Sequence, residues 1–397
     1  MRTKTIPFSP PDISELEIEQ VIAVLRSGWI TSGPMVARFE ANLKDYCGVE
    51  QAVAISSATA GMELLLKVFG LREGDEAITT PYTYTATASI MTHRGIRPVF
   101  VDVKQDSFFL DEQRLYEAIT PRTKLISTVD FGGVPMDYDA VRAVVRAKGR
   151  EDIILLSDSA HSFGASYQGA KVGGQFDFHV FSFHAVKNLT TAEGGAITFR
   201  DNHFRGKADL YQELKVTALH GQTKDAMSKM KAGAWKYDIV TDGYKCNMTD
   251  IMAAIGLGQL ERFDAMVAKR RALFELYSET LLTKEWAKLP FRAAGGTETC
   301  YHLYPLRITG FSEEQRDRLI QLLAEEGIAT NVHFVPLPMF SFYQGLGYSI
   351  ADYPNAYQQY ANEITLPLYS TLATEDAEYV ADRLIHHVER LLKRMAS

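Results

Sequence analysis

Two apolar runs of this chain end in side chains able to do chemistry together. Leu155-Leu-Ser-Asp158-Ser-Ala-His161 closes on a carboxylate and an imidazole; Phe181-Ser-Phe-His-Ala-Val-Lys187 carries a hydroxyl at Ser182 and closes on an amine. Lys187 lies in a short loop bounded by Asn188 and Glu193-Gly-Gly195, between that run and a second one, Ala196-Ile-Thr-Phe199. Desolvating neighbours favour the neutral, nucleophilic form of a lysine. A carboxylate beside a pyridine nitrogen keeps that nitrogen protonated, so the ring accepts electrons. The combination suits pyridoxal phosphate, which needs a carboxylate at its ring nitrogen, donors for its phosphate and one amine for a Schiff base. The plainer alternative makes Lys187 a solvated lysine and Asp158 a strand-end cap. His161 either lies against the ring, holds Asp158, or is a structural histidine.

Donors for a phosphate are available in Ser56-Ser-Ala58-Thr59-Ala-Gly61, between a strand pattern and a helix pattern. Backbone N–H groups at a helix start, with small side chains around them, accommodate an anion. Ser182 offers a further hydroxyl from a neighbouring strand end. Tyr84, in Pro81-Tyr-Thr-Tyr-Thr-Ala-Thr87, either stacks on a flat ring or packs in the core.

These residues need a scaffold that brings them together. Between residues 50 and 200, short β-prone runs alternate with helical patterns: Ala52–Ile55, Ala77–Thr79, Val99–Val101, Leu125–Val129, Ile153–Leu156 and Phe178–Phe181. Such alternation predicts βαβ units and a mostly parallel sheet. Ser56-Ser57, Asp130, Asp158 and Ser182 each close one of these runs, and open α/β sheets bind ligands outside the carboxyl ends of their strands. Ser14-Glu-Leu-Glu17 and Ser312-Glu-Glu-Gln315 predict capped helix starts. A nearly continuous helix is expected from Thr249 to about Leu282, strands at Tyr301–Ile308 and near Ala329–Val332, and a last helix from Thr374. Ala293-Ala-Gly-Gly296 reads as a linker.

Composition narrows the function classes. The chain has 397 residues, 46% hydrophobic and 23% charged, enough for two or three compact units. A net charge of −7 with scattered acidic residues argues against nucleic acid or an anionic membrane as partner. Cys47, Cys246 and Cys300 are far apart and form no paired motif, so neither a zinc site nor a disulfide framework is expected, and a cytoplasmic setting fits. No secretion signal is visible at the N-terminus, and no apolar run reaches the ~18 residues needed to span a membrane.

Over nearly its full length the chain resembles the DegT/StrS family of pyridoxal-phosphate-dependent nucleotide-sugar aminotransferases. The resemblance rests on Ser27-Gly-Trp-Ile-Thr-Ser-Gly-Pro34, Ser57-Ala-Thr-Ala-Gly61, Asp158-Ser-Ala-His161, Phe181–Lys187, Ala192-Glu-Gly-Gly195, Gly243-Tyr-Lys-Cys-Asn-Met-Thr-Asp250 and Leu366-Pro-Leu368, in the family's order. It implies an α/β, fold type I (aspartate aminotransferase-like) enzyme. A large cofactor-binding domain over residues 1–260 would carry a mostly parallel central sheet, and residues 261–397 would form a smaller α/β domain.

By position, the resemblance implies that Lys187 forms the Schiff base and Asp158 pairs with the ring nitrogen. His161 and Tyr84 would lie near the ring, and Ala58, Thr59 and Ser182 at the phosphate. Many members have Gly-x-Asn-x-Arg where this chain has Gly243-Tyr-Lys245-Cys-Asn247, a segment that reaches the cofactor of a partner subunit. The form found here is similar to that of C4 aminotransferases of the UDP-4-amino-4-deoxyarabinose type, as is Trp235-Lys-Tyr237. Trp29, Thr31 and His333 match positions near the substrate. The implied activity is transfer of the amino group of L-glutamate to a nucleotide-linked 4-keto sugar, of the 4-keto-6-deoxy kind, by a homodimer with sites at the subunit interface. Lysine rather than histidine at 187 weighs against the family's dehydratase branch. Amination at C3 is the nearer alternative, and a non-catalytic regulatory protein of the same fold the more distant one.

Overall fold

The computed structural model describes residues 5–224, 233 and 235–396. Its centre is a sheet of β1 (Gln51–Ile55), β2 (Glu76–Thr79), β3 (Arg97–Phe100), β4 (Thr123–Val129) and β5 (Ile154–Asp158), completed by two strands that follow a small hairpin. The hairpin is β6 (Ser166–Tyr167) and β7 (Ala170–Lys171), and the completing strands are β8 (Phe178–Ser182) and β9 (Gly195–Phe199). Across the sheet the order is β1-β9-β8-β5-β4-β2-β3. β3, β2, β4, β5 and β8 are mutually parallel, whereas β9 is antiparallel to both neighbours. The expected parallel α/β sheet is therefore present, and it is one strand larger than the six runs between 50 and 181 suggest.

Because helices cover both faces, most strand residues are buried on either side and the strands read as largely apolar runs rather than as a strict alternation with polar residues. In β1, Val53 and Ile55 join one core with the helices Ala58–Val68 and Leu210–Thr217, while Ala52 and Ala54 face a second core beneath the helix Pro34–Cys47. Successive side chains of a strand point to opposite faces, so one strand serves both cores.

The run of β9 against its neighbours fixes the rim of the sheet. Gly195 is opposite Ile55 on one side and Ser182 on the other. A Cβ there would lie 2.6 Å from Ala58 N, 2.7 Å from Phe181 O and 2.8 Å from Ser57 C. All three are backbone atoms that cannot swing aside. Gly195→Ala is expected to destabilise the fold by about 1–3 kcal/mol, measured by chemical unfolding; an unchanged midpoint would show that β9 shifts freely.

A third core lies around β10 (Ala287–Lys288), β13 (Tyr304–Ile308) and β14 (Glu363–Leu366), with helices Phe263–Leu281, Glu313–Glu325 and Thr374–Ala396. Both expected capping boxes form, at Ser14/Glu17 and at Ser312/Gln315. Three expectations change. The long helix is two helices, Asp250–Glu261 and Phe263–Leu281, broken at Arg262, whose backbone leaves the helical region at φ −110°, ψ 8°. Arg262 is held by Asp12 and Glu17, so its side chain bonds replace a continuous turn. Ala293–Gly296 is no linker: β11 (Ala293–Ala294) and β12 (Thr297–Glu298) form a hairpin turned by Gly295 and Gly296, both at positive φ, and β12 pairs with β6. Near Ala329–Val332 the described residues form isolated bridges rather than a strand, Ile328 to Ile6 and Asn331 to Thr365.

The start of the described chain is attached to this third core. Ile6 is buried, its N–H donates to Gly327 O at 2.8 Å, and it accepts from Ala329 N at 3.0 Å. Among the described residues, no helix is long and apolar enough to cross a membrane.

Candidate active site

At the carboxyl ends of β1, β5 and β8 lies a cavity of about 690 Å³, and Ala58, Thr59, Tyr84, Asp158, His161, Ser182, Lys187 and His333 all line it. The sheet explains the convergence. Ile55, Asp158 and Ser182 end three strands of the same direction, and the loops after them open to one side.

Asp158 is 6% exposed. Its Oδ2 accepts from Thr87 Oγ1 at 2.7 Å and its Oδ1 from Ala160 N at 3.2 Å. Thr87 in turn lies 2.8 Å from Thr83 Oγ1. Burial pushes the carboxyl above its usual range, while the hydrogen bond from Thr87, that from Ala160 and the nearby Lys187 oppose this. A cationic ring nitrogen in the cavity would add the charge partner this buried carboxylate lacks.

Lys187 lies half-buried on the cavity wall. The surrounding protein lowers its amine to about 8, with Asp158 pulling the other way. A large fraction of the amine is thus neutral under mildly alkaline conditions, ready to attack a carbonyl.

The helix Ala58–Val68 starts at the cavity. Its N-cap, Ser57, accepts from Ala60 N at 3.1 Å through its hydroxyl, and Gly61 N donates to Ser57 O. The amides of Ala58 and Thr59 come earlier in the first turn, where a helix offers no internal acceptor. With Ser182 across from them and Gly195 permitting close approach, they form an anion cradle. The donor set thus fits pyridoxal phosphate: an amine, a buried carboxylate and a phosphate seat around one cavity.

Tyr84 stands at the mouth, 62% exposed, with its ring 6.3 Å from that of Phe334. His161 is inside. Its Nδ1 accepts from Gly132 N at 3.3 Å, its ring stacks on Phe334 at 5.7 Å, and burial lowers its pKa well below the usual imidazole value. It does not bond to Asp158; Thr87 does that.

Four other expected residues lie off the cavity. Asn247 Nδ2 donates to Ser32 Oγ at 2.6 Å and is bonded to Lys245, Trp29 Nε1 donates to Ser32 O at 3.2 Å, and Thr31 O accepts from Asp250 N at 3.1 Å. These residues gather around Ser32 instead. Asp130, expected at the rim with the other strand-end residues, is wholly buried and accepts from Tyr138, Ser159, Ser162 and Met136. It braces the loop after β5 from below.

Thr87 and His302 were not singled out from the sequence. His302 lines the cavity, its ring 4.6 Å from His161, and its Nδ1 lies 2.9 Å from Asn188 Oδ1, beside Lys187. Neither sits in a run with an informative pattern. Only Thr87, one residue in a Thr-rich stretch containing Tyr84, carried a local hint.

The profile of the DegT/DnrJ/EryC1/StrS aminotransferase family matches residues 11–385. The spore coat polysaccharide biosynthesis protein SpsC of Bacillus subtilis is 37% identical over 388 residues, 96% of this chain and 96% of that protein. Among solved structures, Spr1654 of Streptococcus pneumoniae, described as a sugar aminotransferase, is 43% identical in its PMP form, with a TM-score of 0.93 over 97% of this chain and 100% of that one. It has also been solved in a PLP form, at 42% identity and a TM-score of 0.92, covering 98% of this chain and 99% of that one. PseC of Helicobacter pylori, an aminotransferase involved in the biosynthesis of pseudoaminic acid, is 29% identical, with a TM-score of 0.88 over 98% of this chain and 100% of that one.

Proposed function

The chain belongs to the DegT/DnrJ/EryC1/StrS aminotransferase family and is a pyridoxal-phosphate-dependent sugar aminotransferase of fold type I, and from this we propose that it moves the amino group of L-glutamate onto C4 of a nucleotide-linked 4-keto sugar, one with a 6-deoxy carbon. The observation that carries the reading is the meeting of Lys187, Asp158 and the Ala58–Thr59 helix start in one cavity. A C4 product is supported by the Gly243-Tyr-Lys-Cys-Asn247 segment and Trp235-Lys-Tyr237, which are similar to those of C4 aminotransferases.

Bound pyridoxal phosphate supplies a carbonyl that condenses with amines and a ring that takes up the electron pair released at the substrate carbon. The chain's own residues do the rest. The amides of Ala58 and Thr59 and the Ser182 hydroxyl would hold the phosphate, and Tyr84 and His161 would lie near the ring. Asp158, oriented by Thr87, would hold the proton on the ring nitrogen. Lys187 Nζ would anchor the cofactor and, when free, would move a proton between the substrate carbon and the cofactor. Such positioned proton transfer is worth ~10²–10⁴-fold.

The residues around Ser32 fit a homodimer in which Lys245 and Asn247 serve the partner's cavity and Trp29 and Thr31 border its sugar. Ile18, Ile22 and Leu25, exposed at helical spacing on the helix Glu15–Ser27, give that assembly an apolar face. Residues 1–260 and 261–397 are taken as the large and small domains, and the enzyme as cytoplasmic.

The test is incubation of the purified holoenzyme with L-glutamate and a panel of UDP-, dTDP- and GDP-linked 4-keto and 3-keto sugars, with NMR of the product. A new amine on C4 and 2-oxoglutarate in equal amount are expected. An amine on C3 would move the assignment to the alternative regiochemistry, and a yellow protein that glutamate does not bleach would end the transaminase reading.

A further inference from the structure

His333 enters the cavity from the loop after Asn331, and its ring is held on three sides. Phe8 stacks on it at 5.7 Å and 24°, Phe334 meets it edge-on at 5.0 Å, and His161 lies 6.4 Å away. Burial lowers its pKa to about 3, helped by the positive charge of Lys187. The ring is therefore neutral, and which of its nitrogens carries the proton decides whether it donates or accepts toward a ligand.

The answer lies behind it, on β14. Glu363 and Thr365 are two residues apart on one strand, so both side chains face the same way. His333 Nδ1 is 2.9 Å from Thr365 Oγ1, Thr365 Oγ1 is 2.5 Å from Glu363 Oε1, and Glu363 Oε2 accepts from His333 N at 2.9 Å. Glu363 and Thr365 are both 0% exposed.

Among the described residues, no cation pairs with this carboxyl. The Arg316 guanidinium, on the helix Glu313–Glu325, donates to the Glu363 main-chain carbonyl at 3.2 Å and to Tyr360 O at 2.8 Å, and its side-chain partner is Asp317. Arg307, opposite Glu363 on β13, is bonded to Asp106 and Gln359. Tyr82 donates to His333 O at 2.7 Å and adds no positive charge. Arg316 therefore acts on Glu363 only through space, and its attraction for the charged form is outweighed by burial, which raises the carboxyl to about 8.

We propose that Glu363 carries a proton in the working enzyme and, through Thr365, fixes His333 as the tautomer that presents Nε2–H to the cavity, where it donates to an oxygen of the bound substrate. With Glu363 protonated, its O–H donates to Thr365, the Thr365 hydroxyl donates to His333 Nδ1, and the ring's remaining proton sits on Nε2. Loss of the Glu363 proton reverses both bonds: Thr365 donates to the carboxylate, Nδ1–H donates to Thr365, and the cavity faces a bare Nε2 lone pair. Glu363 and Thr365 are positioning residues, acting through His333. Only the identity of the oxygen at Nε2 rests on the proposed sugar chemistry.

The experiment reads the tautomer itself, in holoenzyme carrying ¹⁵N-labelled histidine, with the His333 signals assigned from a His333→Gln sample. Long-range ¹H–¹⁵N correlation is followed from pH 6.5 to 9.5. Nε2–H is expected at pH 7, giving way to Nδ1–H as the pH rises through about 8. In Glu363→Gln the amide N–H replaces the acid proton and its carbonyl still accepts from His333 N, so the Nε2–H form is expected across the whole range. Wild-type Nδ1–H at pH 7, or a Glu363→Gln tautomer that titrates as the wild type does, overturns the proposal. Should Glu363→Gln not fold, the wild-type titration decides alone. Failure of the sugar panel leaves this readout untouched, so the two ideas fail separately.

Discussion

Lys187→Ala is expected to lower the rate of sugar amination by at least about 10³-fold and to remove the visible absorbance of the covalently held cofactor. The size follows from two separate losses. On the proposed mechanism the variant loses the nucleophile that anchors the cofactor, and it loses the base that moves the proton at the substrate carbon. The phosphate seat at Ala58, Thr59 and Ser182 is untouched, so the cofactor should still bind without a covalent link. An added small primary amine should then restore part of the turnover. Because burial lowers the Lys187 amine to about 8, capture of added pyridoxal phosphate by the wild-type apoprotein should accelerate as the pH rises toward that value. A Lys187→Ala enzyme within tenfold of the wild type would remove Lys187 from the mechanism.

Asp158→Asn is expected to cost about 10²–10³-fold in kcat, comparable to removing one preorganised electrostatic partner. Unlike most changes at a buried charge, it should not destabilise the apoprotein. The folded carboxyl is raised above its ordinary value of 3.8 chiefly by burial. A group shifted in this direction contributes its full stability below the unfolded pKa and loses it as the pH climbs through the folded one. At neutral pH this upward shift is therefore a burden on the empty protein, and asparagine relieves it. The Thr87 hydroxyl, which also contacts Thr83, can turn to accept from the new amide. Chemical unfolding of the apoprotein at pH 7 should show an equal or higher midpoint, and the difference should shrink toward pH 4. Loss of both stability and kcat would make Asp158 a structural residue instead.

The parts of this molecule that could be read directly from the chain are those whose signal is local. The strands of the central sheet announce themselves as apolar runs because both faces are covered. Asp158, Ser182 and Lys187 stand out because each follows such a run. The capping boxes at Ser14 and Ser312 are four-residue patterns and are found where they were expected. What stayed hidden depends on pairing at a distance. Thr87 meets Asp158 across 71 positions and Asn188 meets His302 across 114, and no window of sequence holds both partners. The helix broken at Arg262 belongs with these. Its pattern continues unbroken, and the reason for the break, Asp12 and Glu17, lies nearly 250 residues earlier. The hairpin at Ala293–Gly296 reads as a linker in the sequence because paired glycines mark a tight turn and a flexible joint equally well. The Trp29, Thr31, Lys245 and Asn247 group gathers around Ser32 from two stretches more than 200 residues apart that no single window of sequence joins.

The first described residues have a practical consequence. Ile6 is bonded to Gly327 and Ala329, Phe8 lies against the ring of His333, and the Ser9 hydroxyl donates to Val186 O at 3.3 Å, next to Lys187. The amino-terminal strap thus ties the outer core to the chemistry, and handling of the purified protein should respect it. Affinity tags belong at the carboxyl end, and trimming the first nine residues to aid crystallisation would strip one wall from the cavity while leaving every catalytic side chain in place.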